Sequence, residues 1–116
     1  MNASTHANRD ARDVLDHHLE AFASGVDELM KDYANGSVLI TPSSTFEGLD
    51  AIKGFFETFI RSATPEFWSS FKVLNTVVTG KVAYLTWEAK PAYPFASDTF
   101  VVEDGKITVQ TFASQT

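Results

Sequence analysis

Three side chains that could move a proton stand on or beside apolar faces in this sequence: Asp98, His18 and Glu88. Asp98 alternates with Phe100 and Val102, so a strand there sets its carboxyl on the face of two core-forming side chains. A carboxyl among apolar groups either finds hydrogen-bond donors or keeps a proton to unusually high pH, and the second state is what a general acid needs. His18 lies within the stripe Val14, Leu15, Leu19 and Phe22. Alone, such a histidine is a packed ring with one satisfied nitrogen; beside a carboxylate it becomes a more basic imidazole of fixed tautomer. Glu88 alternates with Tyr84 and Thr86, while Leu85 and Trp87 take the other face. If the Tyr84 face lines a cavity, Glu88 is a second acid or base there; if not, Trp87 stands there as an apolar wall. His17, one position further round its helix, belongs at the surface or at a rim.

Other chemistries find little support. The 116 residues contain no cysteine, which removes disulfides, thiol nucleophiles and thiolate metal sites. The three histidines do not form a ligand set, so no metal is expected. Single glycines in "TGKVAY" and "EDGK" do not make a phosphate cradle, no Gly-x-Ser-x-Gly run is present, and no cofactor is expected. Nine Lys and Arg against fifteen Asp and Glu give a net charge of −6, without a basic run, which argues against nucleic acid and anionic membranes as partners. No stretch approaches the roughly 20 apolar residues of a membrane span, and "MNASTHANRDAR" lacks the apolar centre of a secretory signal. A cytoplasmic protein is expected.

The elements that must position these groups follow from periodicity. Residues 1–9 are small and polar and read as a flexible tail, leaving 10–116 as one domain. Steps of three and four predict a helix from Asp10 to the "SG" at 24 and 25. Val26, Leu29, Met30 and Tyr33 predict a short second helix that "NG" at 35 and 36 stops. "SVLITP" predicts a strand closed by Pro42, and "SSTFEGL" a loop. Ile52, Phe55, Phe56, Phe59 and Ile60 define a third helix, capped by Asp50. Strands follow at about 67–77, 82–89, 95–103 and 107–113, the last two joined at Asp104-Gly105, a pair suited to positive φ. Helices followed by an antiparallel run of strands make an α+β fold, with any chemistry between the two layers.

In this order, the two helices, the strand ending in "ITP", the segment "SSTFEGLDAIKGFF" and the hairpin "SDTFVVEDGKITVQTF" resemble the nuclear transport factor 2-like (NTF2-like) superfamily. The resemblance is to its SnoaL-like polyketide cyclase and ketosteroid isomerase branch, and spans the chain from about residue 10. It implies a cone: three N-terminal helices on a curved antiparallel sheet around an apolar pocket, with pairing as a homodimer through the outer sheet face. It also implies roles. The oxyanion-binding tyrosine of the steroid isomerases falls at His18, their protonated aspartate at Asp98, and their proton-shuttling aspartate at Thr41, which cannot act as a base. Tyr33, Phe55, Phe59, Trp68 and Phe100 become walls of the pocket, with Glu88 at its mouth if the Tyr84 face turns inward. The expected function is cofactor-independent proton transfer on an apolar, carbonyl-bearing small molecule, with Asp98 and His18 as the catalytic pair. The alternatives are a module that binds a hydrophobic ligand and an accessory domain that dimerises.

Overall fold

The computed structural model describes residues 9–115. Its elements are α1 (Ala11–Ala21), α2 (Val26–Met30), β1 (Tyr33–Ile40), β2 (Thr45–Glu47), α3 (Leu49–Ser62) and α4 (Pro65–Ser70). The strands β3 (Phe71–Thr79), β4 (Val82–Ala89), β5 (Tyr93–Glu103) and β6 (Lys106–Gln115) complete the fold. The fold is α+β, with helices against one face of a curved six-stranded sheet of order β2-β1-β6-β5-β4-β3. The sheet is mixed, because β1 pairs parallel with β6 while every other pair is antiparallel. No helix among the described residues is long and apolar enough to cross a membrane.

Local chemistry explains the best-predicted elements. Asp10 caps α1 by accepting from the Asp13 backbone N–H at 2.9 Å, and the Asp13 carboxylate accepts from the Asp10 N–H in return. In α3, Ile52 and Phe56 are buried and Phe55, Phe59 and Ile60 pack at the edge of the core. The β5–β6 turn places Asp104 at φ 51° and Gly105 at φ 75°, both in the left-handed region. Along β5, Ala96, Asp98, Phe100 and Val102 are buried while Ser97, Thr99 and Val101 are not, the alternation read from the sequence.

Several expectations are corrected. Among the described residues there are four helices, not three: Thr64 caps an extra helix, α4, by accepting from the Phe67 N–H at 3.0 Å, and Pro65 takes the first turn. Residues 67–70, read as strand from their aromatic content, are therefore helical. Tyr33 opens β1 and does not end a helix. The carbonyl of Asp32 accepts from the Ile107 N–H at 2.7 Å, drawing the chain into the parallel pairing with β6. The "NG" at 35 and 36 then lies within β1, where the register shifts between Tyr33 and Val38. The loop "SSTFEGL" contains β2, paired with β1. Asp50 sits in the first turn of α3, and Gly48 occupies the capping position. Most of the proposed tail lies outside the described residues; Arg9 is held, its guanidinium 3.1 Å from Asp32 and donating to the Gly105 carbonyl at 2.6 Å.

Candidate active site

Between the helices and the sheet lies a cavity of about 430 Å³. Helix α1 contributes His18, Leu19 and Phe22; α3 contributes Phe55, Phe56 and Phe59. Phe67 and Trp68 of α4, with Phe71 beginning β3, close one side. The sheet adds Leu85 and Trp87 from β4, Asp98 and Phe100 from β5, and Gln110 and Phe112 from β6. Aromatic rings make most of the wall, and among the described residues no Lys or Arg lines it.

Asp98 is buried, and both of its oxygens have partners. The Trp87 indole Nε1–H donates to Oδ1 at 2.8 Å, and the Gln110 amide donates to Oδ2 at 2.9 Å. The Tyr33 hydroxyl donates in turn to Gln110 Oε1. Burial raises the Asp98 carboxyl and outweighs the bonds from Trp87 and Gln110, which favour the ionised form, leaving its pKa at about 6. Burial likewise raises the Tyr33 hydroxyl well above its ordinary value, helped by the charges of Asp98 and Asp32.

His18 is packed by rings: Phe100, Phe22, Phe56 and Tyr33 meet it edge-on, with centroids 5.1, 5.3, 5.8 and 6.2 Å away. Burial, with a smaller contribution from the neighbouring His17, lowers its pKa to about 3, so the ring is neutral at physiological pH. Its buried Nδ1 has no hydrogen-bond partner among the described residues. His18 and Asp98 share the cavity, yet no hydrogen bond joins them among the described residues. Trp87 and Gln110 hold the carboxyl instead.

The remaining expected residues divide. Phe55, Phe59, Trp68 and Phe100 line the cavity. Tyr33 is buried behind it and reaches it through Gln110. Glu88 lies outside: it pairs across the sheet with Lys72, is flanked by cavity-facing Trp87, and its carboxylate lies 3.8 Å from Lys90 Nζ. The sheet takes the alternative in which the Trp87 face points inward. Thr41 is also outside, its hydroxyl donating to the Ser44 carbonyl at 3.2 Å. His17 sits at a partly buried rim of another kind, with Nδ1 2.8 Å from both Asp32 oxygens and Nε2 2.7 Å from Glu28.

Sequence reasoning missed Gln110 and the donor role of Trp87. The signal for Gln110 was present, since it alternates with Phe112 in a strand whose other face carries Val109 and Thr111. What the sequence lacked was the register that sets Phe100 opposite Gln110 and Asp98 opposite Phe112, bringing the amide alongside the carboxyl.

No protein-family model matches the chain, and no curated protein matches it in sequence. Solved structures match its fold. A protein named as a candidate polyketide cyclase from Sinorhizobium meliloti aligns with TM-score 0.70 and 20% identity, over 86% of this chain and 93% of its own. An NTF2-like protein of unknown function from Cytophaga hutchinsonii aligns with TM-score 0.73 and 16% identity, over 99% and 95%. A SnoaL-like protein of unknown function from Burkholderia thailandensis aligns with TM-score 0.74 and 13% identity, over the whole of both chains. The fold of this chain is the NTF2-like, SnoaL-like fold. That fold hosts many functions, so the chemistry must be argued from the cavity itself.

Proposed function

We propose that the cavity binds an apolar small molecule bearing a carbonyl, and that Asp98 moves a proton on it without a cofactor. The observation that carries this reading is a buried carboxyl held by two N–H donors in an aromatic cavity, a setting in which burial raises its pKa to about 6. Such a group is mostly ionised at pH 7 yet far more basic than a solvated aspartate, which suits a general base near neutrality. The carboxylate takes a proton from the carbon next to the carbonyl, the electron pair moves to the carbonyl oxygen, and the acid so formed returns the proton. A lining without Lys or Arg favours an uncharged ligand over an anionic one. His18, neutral at working pH, acts as an uncharged hydrogen-bonding group towards the ligand and not as an acid. Thr41 supplies no second base, so one carboxyl both removes and returns the proton.

The test is proton–deuterium exchange. Cyclic enones and aromatic ketones are incubated with the protein in D₂O and followed by NMR, while quenching of Trp68 and Trp87 fluorescence reports binding. Asp98→Asn is expected to retain binding and lose exchange by at least about 100-fold, the scale of one general base. Binding of these compounds with no exchange by the wild type would instead support a ligand-binding module.

We also propose that two copies pair through the outer sheet face, where Val77, Tyr84 and Phe95 are exposed and Val77 lies directly opposite Tyr84.

A further inference from the structure

Tyr33, Gln110, Asp98 and Trp87 form a chain in which the direction of every hydrogen bond is determined by chemistry. An indole N–H can only donate, so Trp87 donates to Asp98. Tyr33 is buried, its hydroxyl has the Gln110 side chain as its side-chain partner, and a buried O–H must give its proton to an acceptor. That acceptor is Gln110 Oε1. With its carbonyl end occupied, the amide can turn only its NH₂ towards Asp98. The two donor paths converge on one carboxyl, Tyr33 to Gln110 to Oδ2 and Trp87 to Oδ1.

We propose that Tyr33, although it does not line the cavity, is a positioning residue. It locks the Gln110 amide with its donor end towards Asp98, so that a proton carried by Asp98 has only the cavity to point into. Without the lock, Gln110 could rotate and accept the acid proton internally, removing it from any ligand. The inference rests on the reading of Asp98 as the proton-transfer group, and gives it a direction. Around Asp98 the titratable neighbours are His18 from α1 and Tyr33 from β1. Among the described residues, helix α3 presents only Phe55, Phe56 and Phe59, and β4 and β6 present no ionisable side chain to the cavity.

Two measurements without any ligand test the lock, so its failure and the failure of the ligand reading are separable. The first is NMR titration of the Asp98 carboxyl in Tyr33→Phe. Freed from Tyr33, Gln110 can stabilise the neutral acid, and the Asp98 pKa is expected to rise by about one unit; an unchanged value overturns the proposal. The second is a double-mutant cycle with Asp98→Asn. An asparagine that keeps its oxygen on Trp87 turns its NH₂ to Gln110, forces the amide to flip and orphans the Tyr33 proton. Tyr33→Phe is therefore expected to lower Tm in the wild type and to lower it less, or raise it, in Asp98→Asn. Equal losses in the two backgrounds overturn the proposal. Should Tyr33→Phe not fold alone, the double variant decides: a folded one supports the lock, and an unfolded one contradicts it.

Discussion

Asp98 and His18 occupy one cavity, but burial moves their ionisation in opposite directions with opposite consequences for stability. The Asp98 carboxyl is raised from 3.8 to about 6, so the folded chain holds that proton more tightly than the unfolded chain. Its contribution is most favourable below about pH 4 and is lost as pH rises to about 6, a change of about 3 kcal/mol for two units. His18 is lowered from 6.5 to about 3, so the folded chain resists taking up that proton. Its contribution is full above about pH 6.5 and falls as the solution is acidified towards 3. Between pH 4 and 6 the two trends oppose each other. Relative to the wild type, Asp98→Asn is therefore expected to gain stability as pH rises from 4 to 6, and His18→Phe to gain stability as pH falls over the same window. Urea unfolding at closely spaced pH values reads both differences; parallel profiles would contradict the placement of both groups. The inward placement of Asp98 and His18 was legible because alternation and helical spacing show which face a residue takes. The bonds of Trp87 and Gln110 were not, because they depend on how one strand lies against the next.

At the scale of elements, helix α1 is pinned from the side away from the cavity. His17 bridges Asp32, which is fully buried, and Glu28, while Arg9 ties Asp32 to the β5–β6 turn. Burial lowers the His17 pKa, but the carboxylates of Asp32 and Glu28 outweigh it and raise the pKa above 6.5. Its stabilising charge is thus fully present below pH 6.5 and lost as pH rises through the raised value. His17→Gln is expected to cost about 1 kcal/mol at pH 6, kept small by the exposure of the ring, and less at pH 9. Thermal melts at the two pH values measure this, and an equal or larger loss at pH 9 would contradict the clamp. Helices α1 and α3 and the β5–β6 hairpin were readable because their patterns are local. The start of β1, the three residues of β2 and the turn-length α4 were not. Pairing with Ile107, pairing with β1 and a single threonine cap settle them, and an amphipathic reading of Tyr33 or a strand-like run of aromatics cannot reveal such partners.

For the whole molecule, the sheet divides two kinds of surface. Its inner face is aromatic and closed by helices; its outer face leaves Val77, Tyr84 and Phe95 exposed among the half-buried Ser97, Thr99 and Val101. If two copies pair through that face, sedimentation equilibrium should give twice the 12.8 kDa chain mass, and Val77→Lys should return a folded monomer. A monomeric wild type at micromolar concentration would contradict the pairing. The fold alone is shared with proteins of many kinds, so the distinguishing feature of this one is a single buried carboxyl in an aromatic cavity. The most direct measurement is the rate of carbonyl-adjacent proton–deuterium exchange against pH, in the wild type and in Asp98→Asn. The expected result is a wild-type rate that rises through an apparent pKa near 6, levels above it and is absent in the variant. A rate independent of pH, or one that Asp98→Asn retains, would contradict Asp98 as the proton-transfer group.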